Sequence, residues 1–569
     1  MTYKAPVEEI LFYLDKVLEA GRVAETERFA EATPDMVEAI LGEAARMAEE
    51  VLAPLNVVGD LHPARLVDGQ VECSPGFADG YRAIAEGGWV GIAADPQYGG
   101  MGLPMVLASA VGEMIDGACL SLSLNPLMTQ GQIEALEHHA SDEIKALYLP
   151  KLASGQWTGT MNLTEAGAGS DVGALRTRAV PNDDGTYAVT GQKIFISWGD
   201  HDLAENICHL VLARLPGAPE GSKGISLFLV PKFLPDADGN PGVRNGVRAI
   251  SLEHKMGLHG SPTAVMEFDG ATGWMIGPEN GGLAAMFTMM NNARLGVGIE
   301  GLSQAEAATQ KALEYAAERV QGRAPVENGT GTILDHADVR RNIMTMKALT
   351  ATARAICLDT AISIDLARAT GDAAQKARAA LLTPMAKAFG TDAGMRVSEI
   401  GMQVHGGMGY IEETGAAQFY RDVRVTAIYE GTNGIQAMDL VGRKLMDNGA
   451  AALALLAEAG TTAALAEAEY PDLAAFLSAA EMAVNATVHW MVDADMNDRF
   501  AGAAPFLRAF SLTLGGHYLL KAALADPARL PLARFHIRQL MQEVDPLCHA
   551  AREGAGDLYA MDAAALGVA

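Results

Sequence analysis

Basic residues are scarce in this chain. Only 42 Lys and Arg stand against 70 Asp and Glu, for a formal net charge of −28 and an isoelectric point near 4.8. That balance excludes a general nucleic-acid or anionic-membrane surface, which needs clustered Lys and Arg. It leaves room for an anionic ligand held by a few local cations. Cysteine is sparse too: the five residues at 73, 119, 208, 357 and 548 are scattered and form no CxxC pair. Neither a disulfide framework nor a metal site is expected, and a reducing compartment fits. No run of 18 apolar residues is present, so no transmembrane helix is expected. The opening Met1-Thr-Tyr-Lys-Ala-Pro-Val-Glu-Glu9 places acids where a secretory leader carries its basic and apolar parts. The expected location is cytoplasmic, with no membrane and no nucleic-acid partner.

What the chain has in quantity is apolar surface. At 569 residues and 49% apolar it is too long for one core and ample for several domains. Residues 1–155 read as an N-terminal helical domain. Val7, Ile10, Leu11, Leu14 and Leu18 share a helical face, and Thr33-Pro34 reads as an N-cap and first turn before a stripe from Val37 to Val51. Residues 156–277 alternate apolar and polar residues over short stretches, punctuated by Asn182-Asp-Asp-Gly185, Pro216-Gly217 and Pro241-Gly242. That pattern predicts a small antiparallel, barrel-like β domain. Residues 278–447 return to helical stripes at 282–322, 333–370, 373–400 and 415–447, enough for a four-helix bundle. Residues 448–569 are Ala- and Leu-rich and predict an additional helical domain with no chemical motif. The fold class is therefore α+β, mainly α.

Four segments carry chemistry. Tyr429-Glu-Gly-Thr432, within Ile428-Tyr-Glu-Gly-Thr-Asn-Gly-Ile-Gln436, sets one carboxylate in an apolar run followed by small residues. Gly431 permits close backbone approach to a ligand, and a carboxylate buried there is costly to ionise, so its pKa should rise toward that of a useful base. Thr164-Glu-Ala-Gly-Ala-Gly-Ser-Asp171 offers exposed backbone N–H groups and two hydroxyls, a cradle for a flavin edge or phosphate. In Gly191-Gln-Lys-Ile-Phe-Ile-Ser-Trp-Gly199, Phe195 and Ser197 lie two apart and share a strand face, an aromatic plane beside a hydroxyl. Gln403-Val-His-Gly-Gly-Met-Gly409 joins a helix to a Gly-rich loop suited to phosphate. Arg294 sits in an apolar helix and needs an anion, either a ligand or a local acid. His405 reads as structural, and His138-His139 point apart and make poor metal ligands.

Together, and in their order along the chain, these segments resemble the acyl-CoA dehydrogenase family over about residues 35 to 445. The resemblance implies FAD as cofactor and an acyl-CoA thioester as substrate. It implies Glu430 as the base that removes the pro-R α-proton while the β-hydride passes to flavin N5. Met161, Leu163, Thr164, Gly169, Ser170, Phe195 and Ser197 would bind FAD, with Phe195 and Ser197 standing where Trp and Thr are commoner. Arg319, Gln403, Gly406, Gly407, Thr432 and Gly434 would hold FAD partly from a neighbouring subunit, so a homodimer or homotetramer is implied. Ser170, Asn291, Arg294 and Gly431 would line the acyl-CoA path. Some family members carry the base just before the helix arginine; here that position is Ala293, which cannot accept a proton.

The N-terminal Tyr3-Lys-Ala-Pro-Val segment and the tail after 448 look like the longer bacterial subgroup that includes the 3-methylmercaptopropionyl-CoA dehydrogenases of dimethylsulfoniopropionate degradation. The implied reaction is α,β-dehydrogenation of a short- or medium-chain acyl-CoA to the trans-2-enoyl-CoA, as in fatty acid β-oxidation. Conversion of 3-methylmercaptopropionyl-CoA to methylthioacryloyl-CoA is its specific form. An electron-transfer flavoprotein is the implied acceptor. Two other readings stay open: an acyl-CoA oxidase using O2, and a catalytically silent flavin-binding scaffold.

Overall fold

Helical periodicity at both ends of the chain and strand periodicity in the middle produce two helical regions around a sheet. The computed structural model describes residues 3–568, apart from the side chain of Asn291. Ile10, Leu14 and Leu18 are buried along Val7–Phe12 and the wider turns of Tyr13–Val17. Thr33 accepts a hydrogen bond from the Met36 N–H (3.4 Å) and caps Pro34–Met47, with Pro34 in the first turn. One element departs from the expected all-helical region: Arg65–Val67 pairs with Gln70–Glu72. Asp68 and Gly69 both take positive φ (49° and 78°), the geometry of a two-residue hairpin turn, and the Asp-Gly pair is its sequence signal.

Helix α1 (Met105–His139) is long and apolar enough by composition to cross a membrane, although it holds no unbroken run of 18 apolar residues. It bears Glu113 and Asp116, and it is buried against other helices and the sheet rather than exposed. Non-helical backbone at Cys119 (φ −157°, ψ 86°) kinks it, and Pro126 lies in its second half.

The central sheet has seven strands: β1 (Trp157–Asn162), β2 (Arg178–Pro181), β3 (Tyr187–Ser197), β4 (Asn206–Ala213), β5 (Ser226–Pro231), β6 (Val247–Leu252) and β7 (Thr263–Ile276). Their order is β1-β4-β5-β7-β3-β2, with β6 also on β7. The pairing is antiparallel except for β1 and β4, which run parallel with Trp157 opposite Asn206. The expected purely antiparallel domain is corrected there. Long β7 pairs with β3 and β6 through its first part and with β5 through Trp274–Ile276. Strands β4 and β5 are buried on both faces. Leu210, Leu212, Leu227 and Leu229 join the large core shared with the helices, whereas Val211, Ala213, Phe228 and Val230 fill a separate core inside the sheet. Buried on both faces, these two strands depart from the expected apolar–polar alternation.

Helices α2 (Gly282–Glu318), α3 (Ala337–Thr370) and α4 (Ala373–His405) pack on one another, and α2 and α3 also on α1. The expected fourth stripe, 415–447, is not one helix. It runs as Ala416–Val423 and Arg424–Ala427, breaks, and resumes as α5 (Asn433–Asp439). The break falls at Glu430-Gly431, where both residues have positive φ (56° and 85°), a conformation no helix accommodates.

The remaining chain forms α6 (Ala450–Ala466), α7 (Pro471–Asp493), α8 (Met496–Ala525) and shorter pieces. Helix α8 lies on α3 and α5. A buried polar junction fastens it: Tyr518 Oη donates to Asp359 Oδ2 (2.5 Å), which also receives Arg378 Nη2 (2.6 Å), and Arg378 reaches Glu458 (2.5 Å). Asp359 lies on α3, Arg378 on α4, Glu458 on α6 and Tyr518 on α8, so the junction ties four helices, three of them through the Asp359 carboxylate. Asp359→Ala should strand a buried guanidinium and lower unfolding free energy by about 3 kcal/mol, read as a fall in the denaturant midpoint.

Candidate active site

Glu430 sits in a strained turn. Positive φ at a non-glycine residue is unfavourable and persists only where neighbours hold it. Gln436 Nε2 donates to the carbonyls of Glu430 and Gly431 (3.2 Å each). Thr432 caps α5 by accepting from the Ile435 N–H (3.3 Å). Asn433 donates to Asp392 Oδ1 (2.7 Å) and accepts from Lys387 Nζ (2.9 Å), pinning the turn to α4. The Tyr429 hydroxyl donates to Glu300 Oε2 on α2. Any side chain at Gly431 would meet Gln436 Nε2 at 2.8 Å in addition to an unfavourable φ, so glycine is required there.

Part of Glu430 reaches the surface, but its carboxyl is packed round by protein, and that desolvation pushes its pKa up to about 7. Arg294 and Lys387 oppose the shift. Neither is spent on Glu430. Lys387 is fully buried and hydrogen-bonds Asn433; burial pushes its amine down to about 8. Arg294 faces Asp439 at 3.5 Å, a long contact, and its Nε has no partner among the described residues. The salt bridge to a local acid therefore exists but leaves a buried guanidinium unsatisfied, the state expected of a group that faces an anionic or carbonyl ligand. The side chain of Asn291 lies outside the described residues.

A second cluster lies on the sheet. Lys193 is fully buried and donates to Glu165 Oε1 (2.8 Å) and the Leu163 carbonyl (3.0 Å). Glu165 also receives the Arg176 N–H (2.7 Å), the Thr177 N–H (3.0 Å) and the Thr177 hydroxyl (2.6 Å). The loop of residues 163–177 thus folds about one ion pair, with Thr164 bonded by its carbonyl to the Ile194 N–H (2.9 Å). Leu163 is buried, Met161 and Thr164 partly so, and Gly169 and Ser170 are exposed. Strand β3 does not run regularly past this loop. Its register against β7 slips between Ile196 and Lys193, and Phe195 takes φ +61°. The bulge turns the Phe195 ring outward, 59% exposed, while Ile196 is buried and Ser197 returns to the Phe195 side. An outward aromatic and a hydroxyl beside an N–H-rich loop fit the face and edge of a flat heterocycle such as the flavin of FAD.

The third cluster is remote from the first within one chain. Arg319 lies roughly seven turns along from Arg294, about 37 Å at 1.5 Å per residue, exposed where α2 ends. Gln403, Gly406 and Gly407 end α4 beside it, since Tyr315 of α2 stacks on His405 of α4 (4.5 Å). His405 donates to or accepts from nothing acidic; its Nδ1 meets the Gly401 carbonyl at 2.7 Å. Cβ atoms built at Gly406 and Gly407 meet nothing within 4 Å, so this loop is open. Thr432 and Gly434 stay with the Glu430 turn.

Between α1 and α2 lies a cavity of about 60 Å³, lined mainly by apolar residues including Val111, Ile115, Leu127 and Leu295, with Asp116 and Ser123 on its wall. Among the described residues no group of His, Cys, Asp and Glu could hold a metal. Sequence reasoning overlooked Lys193, Glu165, Lys387, Asn433 and Glu300. Glu165, Lys193 and Asn433 stand inside quoted motifs, in Thr164-Glu165, Gln192-Lys193 and Thr432-Asn433; nothing in spacing marks Glu300.

Comparison with known proteins gives the same architecture. The chain matches the acyl-CoA dehydrogenase N-terminal domain over residues 35–156, the middle domain over 160–271 and the C-terminal domain over 280–446. It is 45% identical to the 3-methylmercaptopropionyl-CoA dehydrogenase of Ruegeria pomeroyi over 93% of this chain and 92% of that one. It is 37% identical to a broad-specificity linear acyl-CoA dehydrogenase of Mycobacterium tuberculosis over 79% and 77%. Its fold matches an acyl-CoA dehydrogenase complexed with FAD from Bacillus anthracis, with a TM-score of 0.75 at 20% identity over 93% and 90% of the two chains.

Lys193→Met should leave Glu165 unpaired and loosen the 163–177 loop, raising its protease sensitivity and weakening FAD retention about tenfold or more, read by flavin absorbance after gel filtration. Three matched domains and a relative alike over nearly its whole length lead to one statement: the chain belongs to the acyl-CoA dehydrogenase family, whose members are FAD-dependent oxidoreductases.

Proposed function

We propose that the chain desaturates a short acyl-CoA thioester between Cα and Cβ, with Glu430 as base and 3-methylmercaptopropionyl-CoA as the preferred substrate. The observation that carries the reading is a carboxyl held near neutral pKa in a strained turn, with two buried cations close by but bonded elsewhere. A carboxylate so placed can take a proton from a weak carbon acid and still release it at neutral pH. The Glu430 N–H makes no hydrogen bond among the described residues, so it is free to polarise a thioester oxygen and acidify the α C–H. Arg294, through its unpartnered Nε, and Ser170, Asn291 and Gly431 are assigned to the acyl-CoA path. Bound FAD supplies the two-electron acceptor for the β-hydride. Thr164, Phe195, Ser197 and their neighbours Met161, Leu163 and Gly169 would hold its ring end. Arg319, Gln403, Gly406 and Gly407 would hold the distal end of a cofactor seated on a neighbouring copy.

The whole-length likeness to a 3-methylmercaptopropionyl-CoA dehydrogenase supports the substrate, and the small cavity between α1 and α2 suits a short acyl tail. Electron-transfer flavoprotein is the proposed acceptor, a homodimer or homotetramer the proposed assembly, and the cytoplasm the proposed location, in keeping with five free cysteines. The domain division at residues 155, 277 and 447 belongs to the same proposal.

The test is anaerobic flavin bleaching by a panel of acyl-CoA thioesters. The fastest bleaching is expected with 3-methylmercaptopropionyl-CoA; a clear preference for long linear chains would reject that substrate. Rapid reoxidation of the bleached enzyme by air would convert the reading to an oxidase, and no bleaching by any thioester would leave a silent scaffold. Glu430→Gln should retain FAD and lose turnover by about 10³-fold or more. The base works ionised and its pKa is raised by burial to about 7. Bleaching should therefore quicken about tenfold per pH unit below 7 and level off above it; a flat profile from pH 5 to 8 would contradict the assignment.

A further inference from the structure

Helix α2 carries an acid with no role so far. Glu300 lies six residues beyond Arg294 and is fully buried. Its Oε2 accepts the Tyr429 hydroxyl, and its Oε1 has no partner among the described residues. A buried carboxyl half satisfied in this way is costly, so its place beside the proposed base calls for a reason. The groups that face it are Asp116 from α1, Lys387 from α4, and Tyr429 and Glu430 from the turn. Burial, then Asp116, hold the Glu300 carboxyl well above the usual carboxylate range.

Tyr429 immediately precedes Glu430, whose left-handed backbone must be held against its own preference. On the C-terminal side Gln436 and Asn433 hold it. On the N-terminal side the Tyr429 phenol makes the corresponding side-chain anchor, and Glu300 is its acceptor. The same helix presents Arg294, so the guanidinium and the base are set in register by one rigid element. Resting on the reading of Glu430 as base, we propose that Glu300 is a positioning residue: its carboxyl grips the Tyr429 phenol and thereby fixes the turn that presents Glu430.

The experiment is single-turnover flavin bleaching by acyl-CoA in the FAD-loaded enzyme, with Glu300→Leu, Glu300→Gln, Tyr429→Phe and the double variant Glu300→Leu/Tyr429→Phe. Loss of the grip should slow bleaching roughly 10- to 100-fold, the scale of a misplaced catalytic group, with FAD content unchanged and KM within about threefold. Glu300→Gln, which still offers an acceptor oxygen, should recover most of the rate. The double variant should be no slower than the slower single one, because both remove the same contact. Wild-type bleaching in Tyr429→Phe, no rescue by Gln relative to Leu, or additive losses would overturn the proposal. If Glu300→Leu fails to fold, Tyr429→Phe still decides it, since the ring is kept and only the hydroxyl goes. Glu430→Gln separates the two readings. Full activity there removes the base itself, whereas an inactive Glu430→Gln beside fast Tyr429→Phe removes only the role of Glu300.

Discussion

The site depends on keeping one carboxylate partly dry without pairing it. A fully paired Glu430 would be a feeble base, and an isolated one would stay protonated. The protein steers between these limits by diverting its cations. Lys387 is bonded to Asn433, and Arg294 is turned toward Asp439, so both lower the cost of ionising Glu430 without clamping it. Desolvation remains the larger influence, and the balance falls near neutrality. The strained backbone follows from the same need. A residue inside a regular helix spends its N–H on the helix ladder, whereas the left-handed backbone at Glu430 leaves its N–H free among the described residues.

That turn is stiffened from behind. Helix α5, which begins directly after it, lies against α8, and Phe500 packs at Gly442 beyond its end, where an added Cβ would sit 3.0 Å from the ring. The chain after residue 448 is therefore more than an appendage. It supplies the wall on which the segment carrying Glu430 rests, and the Asp359 junction fastens that wall to α3 and α4. A local opening of the C-terminal helices would loosen α5 before it disturbed the sheet, because no strand is among the elements α8 packs against.

Much of this was legible in the sequence, for identifiable reasons. Long helices were readable because their apolar stripes persist over many turns, and the Thr33-Pro34 cap because its chemistry is local. The helix break at Glu430 was missed as structure although it was found as chemistry: the stripe resumes after Gly431, and periodicity does not register a two-residue excursion to positive φ. The parallel pair of β1 and β4 was missed because register between distant strands is a tertiary property. The ion pair of Lys193 and Glu165 is invisible for a different reason. The two residues are 28 apart, each looks like an ordinary surface charge, and only the fold reveals that the lysine is fully buried. Glu300 is the extreme case, an acid in an apolar helix whose partner is 129 residues away.

The separation of the flavin-directed residues carries the last step. Phe195 and Ser197 stand on the sheet, and Glu430 with Thr432 on the turn before α5, whereas Arg319 and the open loop of Gly406 and Gly407 close the C-terminal end of the long parallel pair α2 and α4. A helix does not shorten, so no motion within one chain brings Arg319 down the length of α2 to the Arg294 end. Yet the Arg319 end has the features of an anion site with no local anion among the described residues: its guanidinium donates only to Gln321 Oε1 there, at 3.4 Å, and Cβ atoms at Gly406 and Gly407 would meet nothing within 4 Å. Exposed Tyr410 and Ile411 flank that loop (84% and 45% accessible). An open phosphate-type loop rimmed by apolar surface is what an interface between copies requires. In the proposed assembly a second chain would bring its own sheet, with Phe195 and Ser197, to this end.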